Sequence, residues 1–253
     1  MITFLEFIGQ YTAFALRALI AAPLAIARPR EALRQFYAVF VGALPLGVVA
    51  GLAIGIVLWM HLRGVLARFG GTEAVQYLPT AVALAVTLEF APIGAGLILA
   101  GRSGASLGAE LGAMRLTEQI DALEVLGFSA MRELVGPRVL ACMLALPILT
   151  VFMDYLALIG SFAAEHMASG VSWLQYRSAC LAGLRFTDTL LATLKPLAFG
   201  YLVGVAGCYF GMRATGGTEG VGRAATRGVV MATLSVLVAN VLLVRLIQLV
   251  VPA

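Results

Sequence analysis

Apolar residues in this chain come in long blocks separated by short polar stretches. The blocks fall at about 36–60, 74–100, 139–163, 186–212 and 228–251. Each reaches the roughly 20 residues a helix needs to cross the hydrocarbon layer, so the pattern predicts five transmembrane helices. Residues 3–26 read differently. Thr3, Glu6, Gln10 and Arg17 recur at helical spacing and form one polar stripe on an otherwise apolar helix. That pattern predicts a helix lying in the membrane interface, with a sixth span as the other reading. Residues 105–126 form the longest polar segment between spans. Leu107, Leu111, Met114 and Leu123 mark its apolar edge, and Glu110, Arg115, Glu118, Asp121 and Glu124 its charged one. It is tied to the second span by small residues four apart (Ala100, Gly104, Gly108, Gly112) and to the third by Pro137. A helix docked by a partner outside the membrane is the expectation.

Composition strengthens the membrane reading. Of 253 residues 61% are hydrophobic and 12% charged, about half the charged share of a soluble domain. The apolar residues do not alternate, which argues against a β-barrel. The expected class is an all-α integral membrane protein: one domain over 1–253, with an interfacial helix, five spans, and a polar helix between spans two and three. Arginine sets the orientation. With the N-terminus in the cytoplasm, Arg17, Arg28, Arg30, Arg34, Arg102, Arg115, Arg132, Arg138, Arg213, Arg223 and Arg227 all lie inside. The opposite side holds Arg63, Arg68, Arg177, Arg185 and Arg245. This bias places the C-terminus outside. The net charge of +4 therefore reports topology, and nucleic acid is not an expected partner.

Some chemistries find little support. Cys142, Cys180 and Cys208 are odd in number and sit among apolar residues, as packing groups do. The two histidines, His61 and His166, form no metal-ligand motif, and no nucleophile elbow is present. Gly216–Gly222 lacks the Lys-Ser/Thr ending of a phosphate-binding loop. No catalytic residue, metal or cofactor is expected in this chain.

The intramembrane charges are the candidates for function. Glu89 lies near the middle of the second span, where a carboxylate costs about 2.5–3.5 kcal/mol on insertion scales. It must be protonated, paired, or open to a polar cavity. Pro92, three residues on, removes a helix N–H and invites a bend. Asp188 and Lys195 are seven residues apart, two turns, and share one face of the fourth span. They could offset each other's burial, or Lys195 could pair with a carboxylate elsewhere. Asp154 sits near the middle of the third span. Gly47, Gly51 and Gly55 give the small-residue spacing that lets helices approach closely.

Several of these runs resemble the MlaE/YrbE permease family. They are Glu89-Phe-Ala-Pro92, Ala100-Gly-Arg-Ser-Gly-Ala105, Ala109-Glu-Leu-Gly-Ala-Met-Arg115, Thr117-Glu-Gln119, Pro137-Arg138 and Gly220-Val-Gly-Arg-Ala-Ala-Thr-Arg227. Asp188 and Lys195 fall where the family carries an acid and a lysine. Phe90-Ala91 departs from the family's Leu-Gly, and Leu88 stands where some members have arginine. The resemblance implies the membrane subunit of an ABC transporter that moves phospholipid between the inner and outer membranes of bacteria. It implies a homodimer in the inner membrane, a cytoplasmic ATPase dimer that binds ATP and Mg2+, and a periplasmic hexamer of MCE-domain subunits. A STAS-domain protein on the ATPase often belongs to such complexes. Glu89, Phe90, Pro92, Gly51 and Gly55 would then serve the lipid cavity or its gate. Met114, Arg115, Glu118, Gln119, Asp121 and Glu124 would lie on the coupling helix held by the ATPase.

Two other classes are set against this one. A proton-coupled secondary transporter would use Glu89, Asp188 and Lys195 as a relay, but no inverted repeat is visible. An intramembrane lipid-modifying enzyme would need a nucleophile or metal set, which the sequence does not display.

Overall fold

In a computed structural model of the protein, the apolar blocks are helical throughout. The structure describes residues 2–250; the side chains of residues 2–4, 72, 186–188 and 250 lie outside that description. Among the described residues every element is a helix or helical turn. They are α1 (Ile2–Leu24), α2 (Pro29–Val75), α3 (Leu78–Ala85), α4 (Ala91–Leu99), α5 (Ala105–Leu116), α6 (Gln119–Val125), α7 (Gly136–Ser169), α8 (Trp173–Ala182), α9 (Phe186–Met212) and α10 (Gly217–Val250). Backbone polar groups have no water to bond in hydrocarbon, and a helix satisfies them internally. Among the described residues six helical stretches are long and apolar enough to cross a membrane, Leu5–Ala27 among them.

Two segments differ from the sequence reading. The helix that carries the first span does not end near Met60. Helix α2 continues through His61, Arg63 and Arg68 and breaks only at Gly71, where φ is 64° and ψ −164°. Polar side chains do not stop a helix; a residue that must adopt positive φ does, and glycine does so without a Cβ clash. The second span is one helical run interrupted by π turns at Val86–Phe90 and Ala100–Gly104, and it passes without a loop into α5.

The chain forms two compact units. The first comprises 1–43, 96–146 and 197–253, and the second 44–95 and 147–196. The chain passes between them inside α2, α4, α7 and α9, each time within four residues of Pro45, Pro92, Pro147 or Pro196.

In the first unit the small-residue ladder is a packing device. A Cβ on Gly108 would stand 3.0 Å from the Ala225 Cα of α10, and one on Gly211 of α9 would stand 2.8 Å from Leu111 Cβ. Only glycine permits that approach. Helices α7 and α9 run antiparallel, with Gly204 against Val139 and Gly200 against Cys142. Helix α1 meets one end of this unit at several points. Gln10 accepts from Arg213 at the end of α9, while Ala21 lies against Gly136 at the start of α7. Tyr11 and Phe14 each meet the Tyr209 ring in T-shaped geometry. The ion pair Arg28–Glu133 holds the turn after α1.

In the second unit α2 packs on α7, and α8 covers α3. Thr80 Oγ1 donates to Ala179 C=O at 2.8 Å, and Tyr176 OH donates to Ser161 Oγ at 2.9 Å. Ser172 caps α8 by accepting from Gln175 N–H, as a residue in extended conformation before a helix can.

Candidate functional site

In the second unit a carboxylate and a lysine meet where α3 gives way to α4. Pro92 has no N–H, so the carbonyl four residues before it, Leu88, gains no α-helical donor from that position. The helix widens there to a π turn, with Ala91 N–H reaching back to Val86 C=O. Lys195 of α9 answers the need. Its Nζ donates to Leu88 C=O at 2.6 Å and to Glu89 Oε1 at 3.1 Å. The lysine side chain is 4% exposed and the glutamate 37%. The buried Lys195 head group thus has two oxygen partners, a carboxylate and a carbonyl, as a buried polar group requires. Phe90, about half exposed, sits beside the pair on the surface, while Pro92 is buried.

Among the described residues the carboxylate partner of Lys195 is Glu89. The side chain of Asp188, taken with Lys195 as a pair on sequence spacing, lies outside the described residues. Spacing along one helix does not reveal a carboxylate on another, although Glu89 and Pro92 together signalled that a donor was needed. Gly51 and Gly55 were expected at a lipid cavity or its gate. Both are buried against α7, and a Cβ on Gly55 would stand 1.9 Å from Ala157 O. Asp154 leaves one buried carboxyl oxygen, Oδ1, without a hydrogen bond.

Glu165 escaped the sequence reading. Its carboxylate accepts from Trp59 Nε1 at 2.6 Å, Arg63 Nη1 at 2.5 Å and Ser169 Oγ at 2.7 Å. The signal was the Trp-x-x-x-Arg spacing, one helical turn, at the polar end of α2.

The segment expected as one helix over 105–126 is two. Helix α5 ends at Leu116, Glu118 takes positive φ (57°), and α6 begins at Gln119. A left-handed non-glycine residue costs about 1–2 kcal/mol, so the surroundings hold this corner in place. An ion pair between Arg115 and Asp121 clamps the two helices across it. Arg138, buried at the start of α7, pairs with Glu110 at 3.2 Å and ties α5 inward. Arg102 donates to Ala38 C=O at 3.2 Å, and its guanidinium fills the space a side chain on Gly42 would need. Met114 is half-buried, whereas Glu118, Gln119, Asp121 and Glu124 are exposed. On either side of them come four exposed apolar side chains that sequence reasoning passed over, Leu116 before and Val125, Leu126 and Phe128 after. Val125 is 87% exposed. An apolar edge beside exposed acids is a surface suited to a partner.

Among the described residues no three His, Cys, Asp or Glu converge as metal ligands would. The model of the Permease MlaE family matches residues 32–246. The chain belongs to the MlaE permease family. It is similar over 97% of its length to a probable ABC transporter permease protein of Rickettsia typhi, at 30% identity and covering 94% of that protein. A probable ABC transporter permease protein of Synechocystis is 29% identical over 83% of the chain and 79% of its own length. The chloroplastic protein trigalactosyldiacylglycerol 1 of Arabidopsis thaliana is 35% identical over 64% of the chain and 46% of its own length.

This MlaE permease is thus a multi-pass membrane protein of the ABC-transporter type. Both candidate regions, the Glu89–Lys195 pair and the α5–α6 corner, lie inside the matched residues.

Proposed function

We propose that this permease is the membrane half of a homodimeric ABC transporter that moves phospholipid between the inner and outer membranes of a bacterium. In this reading α1 lies in the interface, five helices span, the N-terminus is cytoplasmic and the C-terminus periplasmic. A cytoplasmic ATPase dimer, which binds the ATP and Mg2+, holds the α5–α6 corner. A hexameric ring of MCE-domain subunits receives or delivers lipid on the other side, and a STAS-domain protein can accompany the ATPase. The observation that carries the reading is the α5–α6 corner itself. It presents Leu116, Val125, Leu126 and Phe128 to solvent beside exposed acids, and it continues without a loop into the helical run that bears Glu89. A partner that grips the corner differently in two nucleotide states would move that run, and only such differential binding can shift an equilibrium. The arginine asymmetry supports the orientation. That the Arabidopsis relative bears a galactolipid's name fits a lipid substrate.

The experiment is reconstitution with the ATPase. Val125→Glu with Leu126→Glu removes no buried contact, so the permease should fold normally. It should lose ATPase co-purification and lipid-stimulated hydrolysis. Unchanged assembly and stimulation would show that the corner is not the dock.

The proton-coupled reading draws on Glu89 and Lys195. It predicts pH-driven transport by this chain alone, indifferent to ATP. Lys195 already satisfies a carbonyl that Pro92 leaves without its helical donor, a structural task that a proton relay would have to interrupt.

A further inference from the structure

The first unit contains a cavity of about 500 Å3 where α1 meets the end of α9 and the start of α10. Phe7, Tyr209, Phe210, Arg213, Arg223 and Arg227 line it. Its charge is unbalanced. Arg213 lies 4.5 Å over the Tyr209 ring and donates to Tyr209 OH at 2.7 Å and Gln10 Oε1 at 2.6 Å, all neutral groups. Arg223 pairs with Glu219 at 2.6 Å, but that carboxylate is 80% exposed and the pair is weakly held. Arg227 makes no hydrogen bond or ion pair among the described residues. Three arginines thus line one cavity, with one loosely bound carboxylate beside them. Like charges so placed repel, and an anion between them removes the penalty.

The cavity adjoins an apolar groove of about 410 Å3 that shares Phe7, Phe210 and Arg227 and adds Val230, Met231 and Leu234. Positions 227, 230, 231 and 234 form one helical stripe, with a cation at one end and apolar side chains along the next two turns. Val230 and Leu234 are about half exposed. A soluble anion would satisfy the arginines and leave the stripe bare; an apolar ligand would do the reverse. An anionic amphiphile uses both, with aromatic rings at the join as at membrane interfaces generally.

We propose that this cavity and groove bind an anionic phospholipid, with the phosphate among Arg213, Arg223 and Arg227 and an acyl chain along Val230–Leu234. The lipid belongs to the leaflet on the arginine-rich side, and the proposed function enters only in calling that leaflet cytoplasmic. A lipid seated there would also bridge α1 to α9 and α10, since Phe7 belongs to both the cavity and the groove.

The test uses the full-length permease in nanodiscs of mixed phosphatidylglycerol and phosphatidylcholine, with retained lipid counted by native mass spectrometry. Wild type should keep phosphatidylglycerol in preference. Each arginine near an anionic lipid contributes about fivefold. Arg223→Gln with Arg227→Gln should therefore weaken retention about 25-fold, and Arg68→Gln should not change it. Leu234→Asn should weaken retention of lipid with the arginines intact. Thermal melting of each variant confirms folding. Retention unaffected by the double substitution overturns the proposal. Displacement of the lipid by millimolar inorganic phosphate shows a free-anion site instead. An efficient intersubunit disulfide from Leu234→Cys shows a second copy covering the groove, and also overturns it. The lipid count needs neither ATPase nor transport, so its failure is distinguishable from failure of the proposed function.

Discussion

Lys195 and Pro92 should be energetically coupled, although one is on α9 and the other on α4. The perturbation is Lys195→Met, made in wild type and in a Pro92→Ala background. In wild type the ammonium gives its shorter bond, 2.6 Å, to Leu88 C=O and its longer, 3.1 Å, to Glu89. Removing it leaves the Leu88 carbonyl unsatisfied in apolar surroundings, at about 1–3 kcal/mol. The Glu89 carboxylate is 37% exposed, so its lost partner adds only about 0–1 kcal/mol after solvent screening. In the Pro92→Ala background an N–H returns at the position four residues after Leu88 and can take that carbonyl. Lys195→Met then forfeits only the glutamate contact. The two substitutions should therefore show a coupling energy of about 1–3 kcal/mol, with the lysine mattering less once the proline is gone. The assay is a double-mutant cycle on four purified permeases in one detergent, unfolded by denaturant titration. Additivity within about 0.3–0.5 kcal/mol would refute the idea that Lys195 serves the carbonyl that Pro92 leaves open.

Gly55→Ala should destabilise the permease by about 1–3 kcal/mol, because its methyl would press on the Ala157 backbone; Gly64→Ala, with nothing within 4 Å of its Cβ position, should stabilise by about 0.4–1 kcal/mol. The same denaturant titration reads both, and a loss at Gly64 or none at Gly55 contradicts the packing of α2 on α7. Glu110→Gln leaves the buried Arg138 short of its charge partner and should lower the melting temperature, whereas Glu124→Gln on the exposed face of α6 should not; equal effects would refute the role of that ion pair. Asp154→Leu removes a buried oxygen that lacks a partner and should raise stability by about 1–3 kcal/mol. A variant that fails to fold would show that Asp154 is structurally required.

The sequence by itself determined the membrane class, the helical content and the polar segment between spans two and three. Those follow from local causes: block lengths that match the hydrocarbon layer, and backbone groups that only a helix can satisfy there. It also marked Glu89, Pro92 and Lys195 as anomalies, because a charge or a proline in an apolar block is costly wherever it ends up. Tertiary structure decided what those anomalies touch. Glu89 and Lys195 are more than a hundred positions apart, and periodicity cannot pair residues across that distance. The same limit explains Gly51 and Gly55, whose spacing announces close approach without saying whether a helix or a cavity lies opposite. It explains the α5–α6 corner too, since nothing in Thr117-Glu118 forbids a continuous helix. The left-handed turn there, the Arg115–Asp121 clamp and the exposed Val125–Leu126 edge arise because the folded chain holds both sides of the corner at once.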